Sequence, residues 1–239
     1  MKELLKLIKE RQSVRMPFGT KRPIAKQDLL QILEAGCWTP TAHNMQNFEI
    51  IVVDDEELIT SLGNIKRPIS ETFIRENYQQ LSFSEEELLT KKTGLLGTMF
   101  PASWRNPDFK LDIKDTKADS SAQSPFPTCP VMLIVVYDPS KRAPASEGDF
   151  LGILSLGCLM ENMWLMANSL GIGFHIISSL SSDTAAQEVK SILHIPENLM
   201  IAFSCRLGYT ASTQAKYLRV RRDIKDFTSH NKFGDANLF

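Results

Sequence analysis

The sequence is poor in the residues that build metal centres. It has 4 cysteines and 4 histidines in 239 residues. Cys37, Cys129, Cys158 and Cys205 stand far apart, with no CxxC and no histidine at ligand spacing. That excludes a zinc site and an iron–sulfur cluster. The cysteines sit in apolar surroundings such as Ile201-Ala-Phe-Ser-Cys205, so the expectation is buried, reduced thiols in a cytoplasmic protein. Excess charge of either sign is lacking too: Lys+Arg 27 against Asp+Glu 28 leaves a net charge of -1. Without an overall field the chain is not expected to hold nucleic acid. There are no internal repeats and no low-complexity tract, and the N-terminus lacks a signal-peptide core. Long hydrophobic runs are absent except Phe150 to Leu170, which carries Glu161, Asn162 and Asn168. A buried helix explains that run better than a bilayer, so no membrane association is expected.

What is present is an ordinary globular composition, with 43% hydrophobic and 23% charged residues. Leu4, Leu5, Leu7 and Ile8 recur at helical spacing between lysines and glutamates, predicting an amphipathic opening helix. A second helix fits about 26–37, with Leu29, Leu30, Ile32 and Leu33 on one stripe. A polar loop, Trp38 to Gln46, leads into a β-branched strand at 48–53. Asp54 with Glu57 predicts a capping box opening a helix that ends at Gly63, and Ser84 with Glu87 predicts another. Val131 to Val136 is an unbroken apolar strand, hence buried on both faces. The helix from about 147 to 170 is apolar nearly all round and needs cover on every side, and Gly152 and Gly157 would allow a neighbour to approach closely. Strands follow at 171–177 and 200–207, with a helix from Asp183 or Thr184 between them, and Tyr217 to Val220 is strand-like. The fold class is α+β, helices around a central mixed or antiparallel sheet of four to five strands. A single domain over 1–239 is expected, with a lid or insertion at about 64–127 and an extension at about 209–239. The surplus apolar helix points to a homodimer.

Three clusters could carry chemistry. In Arg11-Gln12-Ser13-Val14-Arg15, an extended backbone places two guanidiniums and a hydroxyl on one side. That set suits a phosphate with a nearby carbonyl, or is a solvated basic turn. Pro40-Thr41-Ala42-His43-Asn44-Met45-Gln46 offers amides able to read a polar ring edge, or is a strand-entry loop. Arg219-Val-Arg221 places two cations on one face, as a phosphate clamp or a solvated cluster. No Ser/His/Asp, Cys/His or paired-carboxylate arrangement occurs, so no catalytic side chain is assigned. His175, between Phe174 and Ile176, is expected to be a satisfied strand histidine.

In this order and spacing the clusters resemble the nitroreductase family of FMN-dependent oxidoreductases. The family's R-x-S-x-R is matched by Arg11 to Arg15. Its A-P-S/T-x-x-N-x-Q-P-W is matched by Trp38-Thr-Pro40-Thr41-Ala42-His43-Asn44-Met-Gln46-Asn47-Phe48, with Asn47-Phe48 in place of Pro-Trp. Its long helix into G-L-G is matched by Asn168-Ser-Leu-Gly171-Ile-Gly173, and its C-terminal R/K-x-R by Arg219-Val-Arg221. The likeness covers 3–60 and 130–235.

The resemblance implies an intertwined homodimer with tightly bound, non-covalent FMN. Arg11, Gln12 and Ser13 would hold the phosphate and ribityl chain, Arg219 and Arg221 would close on the phosphate, and Arg15 would face the flavin N1 edge. Pro40, Thr41, Ala42, Asn44 and Gln46 would line the flavin from the partner subunit, and Ile177, Ser178 and Ser179 would lie along its ring. His43, with Phe100 and Trp104 of the variable stretch, would touch substrate. The implied reaction is ping-pong hydride transfer from NADH or NADPH through flavin N5 to a small electron acceptor, such as a nitroaromatic or quinone. Relatives that perform reductive dehalogenation or flavin destruction supply one alternative, and a non-catalytic flavin-binding or sensing protein supplies another.

Overall fold

The computed structural model describes residues 2–15, 18–19, 22–65, 71–97, 129–146, 148–210 and 218–235. In chain order its first elements are α1 (Lys2–Glu10), α2 (Lys26–Cys37), β1 (Glu49–Val53), α3 (Glu56–Gly63), α4 (Glu71–Ile74), β2 (Ser82–Phe83), α5 (Glu85–Lys91) and β3 (Leu95–Leu96). Then come β4 (Val131–Tyr137), α6 (Phe150–Ser169), β5 (Gly173–Ile177), α7 (Asp183–Leu193) and β6 (Met200–Gly208). They fall into two compact units, Met1–Arg67 with Ser121–Gln214, and Pro68–Ser120 with Ala215–Phe239.

The first unit is built on a four-stranded antiparallel sheet of order β1-β4-β6-β5. Alternation sends Met132, Ile134 and Val136 to one face and Val131, Leu133 and Val135 to the other, and all six are buried. The first set packs with Ile59 and Leu62 of α3 and with Val189 of α7. The second packs with Ile32 of α2 and with Leu159, Met163 and Trp164 of α6. Strand β4 is thus covered on both faces, as its apolar run requires, and each such side chain contributes roughly 1.5–3 kcal/mol by leaving water. The 4 strands number as expected. Outside β5, Ser13 forms a parallel bridge with Phe174, a fifth-strand contact at the sheet edge.

Three local expectations are corrected. The helix cap is Asp55 rather than Asp54: α3 starts at Glu56, so the Asp55 carboxylate accepts from the N–H of Leu58 at 2.8 Å. The close helix approach is made at Gly36, where a Cβ would come within 3.1 Å of Leu159. Nothing lies within 4 Å of such an atom at Gly157, and at Gly152 it would meet only Asp149. All 4 cysteines are free, but only Cys129 and Cys205 are buried. Cys37 and Cys158 are exposed because they point away from the core on α2 and α6.

Helix α6 is long and apolar enough to cross a membrane by composition. Its buried stripe, Leu156, Leu159, Met163, Trp164 and Ala167, is the inner face of a packed layer instead. The opposite stripe is bare, with Phe150 66%, Ile153 59% and Leu154 49% exposed.

The second unit has order of its own. Helix α4 runs into a π-helical turn at Arg75–Gln79, and β2 pairs in parallel with β3 around α5. Ser84 and Glu87 form the expected capping box, side chain to backbone in both directions. In the C-terminal stretch the described part of the expected strand, Leu218–Val220, is irregular. A 3₁₀ turn at Ile224–Asp226 follows, capped by Asp223.

Candidate functional site

The segment Arg11–Arg15 leaves α1 and lies along the edge of β5. The Arg11 N–H still donates to the carbonyl of Leu7 at 3.0 Å, so the helix ends there. Val14 then donates to the carbonyl of Phe174 at 3.0 Å, and Val14 turns into the core while Arg15 stays exposed. Alternation about Val14 groups Ser13 with Arg15, while Arg11, still bonded into the last turn of α1, has a different neighbour. Its Nε lies 2.9 Å from Oε1 of Glu161, an ion-pair distance. Among the described residues that buried Nε–H makes no aligned hydrogen bond. The Arg11 guanidinium also covers the Trp164 ring at 4.1 Å, and Trp164 stacks on Phe174 at 5.4 Å. Gln12 is half-buried beside it.

The loop after α2 is bound to the same helix. Asn162 of α6 donates to the Ala35 carbonyl and to Thr39 Oγ1, both at 3.3 Å, and the Ala42 N–H donates to Ser155 Oγ at 3.2 Å. Three non-glycine residues take the left-handed conformation here, His43 (φ 51°), Asn44 (φ 53°) and Gln46 (φ 47°). Such strain persists only where surroundings impose it, and it clusters at functional sites. Thr41 Oγ1 accepts from the Gln46 N–H at 3.1 Å, and Gln46 Nε2 donates to Asn44 Oδ1 at 3.2 Å. Asn47, which stands where the family pattern has proline, fixes the loop by other means. Its Nδ2 donates to the carbonyls of Asp138 (2.9 Å) and Lys141 (3.2 Å), and its Oδ1 accepts from the Asp138 N–H (3.1 Å). Pro40, His43, Asn44 and Gln46 remain exposed.

Ile177, Ser178 and Ser179 stand at the C-terminal end of β5, three residues beyond the strand position that Ser13 meets. Ile177 is buried and its carbonyl accepts from Ser204 Oγ at 3.3 Å, while the two serines are exposed. One sheet edge therefore carries both the Arg11–Arg15 and the 177–179 residues, and α6 holds both Arg11 and the 39–42 loop. Arg219 and Arg221 belong to the second unit, where both are exposed. Phe100 and Trp104 lie outside the described residues.

His175 is satisfied, as expected for a strand residue: its Nδ1 accepts from Arg206 Nε at 3.0 Å. Burial, and then the charges of Arg206 and Arg15, push its pKa down to about 3. Burial lowers Arg206 to about 10, which leaves it charged at neutral pH. Arg206, Glu161, Ser155 and Asn162 are the residues that sequence reasoning missed. The available signal was polarity inside apolar runs, Arg206 within Ala202–Leu207 and Glu161-Asn162 within α6.

The Nitroreductase family model matches residues 8–209. The chain belongs to the nitroreductase family. Its sequence is 22% identical over 227 residues to an NADPH-dependent oxidoreductase of Staphylococcus aureus strain MRSA252, covering 95% of this chain and 72% of that one. A nitroreductase with bound FMN from Desulfitobacterium hafniense DCB-2 superposes with a TM-score of 0.59 at 23% identity, over 97% of this chain and 100% of the other. One from Bacteroides fragilis NCTC 9343, also with bound FMN, gives 0.59 at 22% identity, over 93% and 96%. The nitroreductase fold is the α+β architecture described above.

Proposed function

We propose that this nitroreductase-family chain is an FMN-dependent oxidoreductase. It takes reducing equivalents from NADH or NADPH and passes them to a small electron acceptor such as a nitroaromatic or a quinone. The observation that carries the reading is the sheet edge at β5, where Ser13 and Arg15 emerge beside the strand that ends in Ile177, Ser178 and Ser179.

The donor set fits the cofactor. The Arg11 guanidinium anchored by Glu161, the Ser13 hydroxyl and the exposed Arg15 guanidinium suit a phosphate and a polar ring edge. Arg11 and Ser13 would hold the phosphate and ribityl chain, Arg15 the pyrimidine edge, and Ile177–Ser179 the neighbouring edge of the ring. FMN, when bound, supplies the hydride chemistry. The chain's own residues bind and orient it. Glu161 keeps Arg11 against Trp164, and Arg15 places positive charge where reduction brings negative charge. No side-chain acid or base is needed, and the free thiols fit a reducing, cytoplasmic setting.

The bare stripe of α6, together with Trp38 at 81% exposure at the end of α2, supports a homodimer. Apolar area of this kind marks an interface. A second copy there would cover it and supply Pro40, Thr41, Ala42, Asn44 and Gln46 as the facing wall of the site.

The test is the visible spectrum of the purified protein, followed by anaerobic addition of NADH or NADPH. Flavin absorbance that either nucleotide bleaches is expected. A colourless protein that takes up no FMN would falsify the proposal, and a yellow protein that neither nucleotide bleaches would favour a flavin-binding protein without turnover.

A further inference from the structure

Arg206 is a cation with no exposed surface, set in β6 between Cys205 and Leu207, which are buried as completely. A guanidinium is tolerated there only where hydrogen bonds replace its hydration. Its Nε donates to His175 Nδ1 at 3.0 Å, and its Nη2 donates to the carbonyls of Val14 at 3.4 Å and Arg15 at 3.2 Å. The Phe18 ring lies 4.8 Å from Cζ. Phe18 itself is seated over two glycines, since a Cβ on Gly173 or Gly208 would come within 2.6 or 2.7 Å of it. Apart from His175, these partners all belong to the segment that crosses the edge of β5.

The sheet ladder holds that segment through the Val14 N–H and the Ser13 bridge. The carbonyls on either side of the Arg15 Cα are held by Arg206 instead. His175 faces Arg206 across the β5–β6 register. Because its Nδ1 accepts, its proton is on Nε2, and a ring kept neutral remains an acceptor throughout the physiological range.

We infer that Arg206 is the positioning residue of the cofactor site. It grips the Val14 and Arg15 carbonyls from below and so sets where Ser13 and Arg15 stand, with His175 as the acceptor that aims its fork. The inference rests on the reading of Ser13 and Arg15 as FMN ligands. Arg206 acts through the backbone and is not a catalytic residue.

The test compares full-length wild type with Arg15→Ala, Arg206→Met and Arg206→Lys. The readouts are the FMN Kd by fluorescence titration, the midpoint potential of the bound flavin, and the Tm of the apoprotein. Arg206→Met is expected to weaken FMN binding by about tenfold. It should also lower the midpoint potential, because Arg15 no longer holds its charge beside the flavin. Arg206→Lys, whose ammonium can reach the same carbonyls, is expected to recover most of the affinity. A purely structural role would lower Tm and leave the Kd and potential of the folded protein at wild-type values; that result overturns the inference. If Arg206→Met does not fold, His175→Leu carries the same readouts. It keeps the cation and removes only its aim, so about threefold weaker binding is expected, and a wild-type Kd and potential overturn the inference equally. Arg15→Ala separates the two levels. No change in that variant defeats the FMN reading of the segment, whereas weakening there without weakening in Arg206→Met defeats only the role given to Arg206.

Discussion

At the scale of single residues, charges are placed by burial and neighbours rather than by composition. His175 shows the consequence for stability. Its folded pKa, about 3, lies below the ordinary value of 6.5, so the folded state binds fewer protons than the unfolded state between those values. The neutral ring's contribution is complete above pH 6.5 and is lost as pH falls toward 3, at a slope approaching about 1.4 kcal/mol per pH unit. Urea unfolding at pH 7 and pH 5 should therefore show a larger loss for wild type than for His175→Gln, which has no proton to gain. Equal losses would exclude His175 as the source. Arg11→Ala combined with Arg15→Ala is expected to abolish FMN retention on gel filtration while far-UV circular dichroism stays native. The Glu161 contact it breaks is a partly exposed ion pair, worth at most about 1 kcal/mol. Tight FMN binding in that double variant would refute the phosphate and ring-edge roles. The Arg11–Arg15 cluster was legible from residue types and spacing. The partner of Arg11 was not, because Glu161 is distant in sequence and only the packing of α1 on α6 brings it near.

Among the elements, helices were easy to find and their contacts were not. Capping depends on a few consecutive residues, so the Ser84–Glu87 box is visible in the sequence. The choice between Asp54 and Asp55 turned on which start puts Ile59 and Leu62 into the core. Asp55→Ala should lower stability by about 1 kcal/mol, and Asp54→Ala should change it much less; chemical denaturation of both variants decides. The approach of α2 to α6 is set by Gly36. Gly36→Val is expected to cost about 1–3 kcal/mol, because the added methyl groups must displace Leu159 and Met163. A Tm at the wild-type value would show that this contact is loose. The 40–46 loop shows how one function can be met by another residue. Where the family pattern has proline, the Asn47 amide ties the loop to the Asp138–Lys141 turn, which no local reading of the sequence could foresee.

For the whole molecule, the surplus of apolar surface is the governing fact. Helix α6 buries one stripe and bares the other, and α1 likewise exposes Leu4 and Leu5. Sedimentation of the wild type at micromolar concentration is expected to give a dimer, and Ile153→Glu with Leu154→Glu a monomer that retains FMN poorly. A monomeric wild type would remove the basis for a facing wall supplied by a second copy. The sequence by itself determined what depends on local pattern: the helix and strand periods, the doubly buried β4 and the family motifs. Tertiary structure alone decided which of those motifs share an edge of the sheet and which glycine lets two helices meet. It also decided where the buried Arg206 finds carbonyls to replace its water. Periodicity acts over a few residues, whereas hydration lost by a charge must be restored by whatever groups the fold brings within reach.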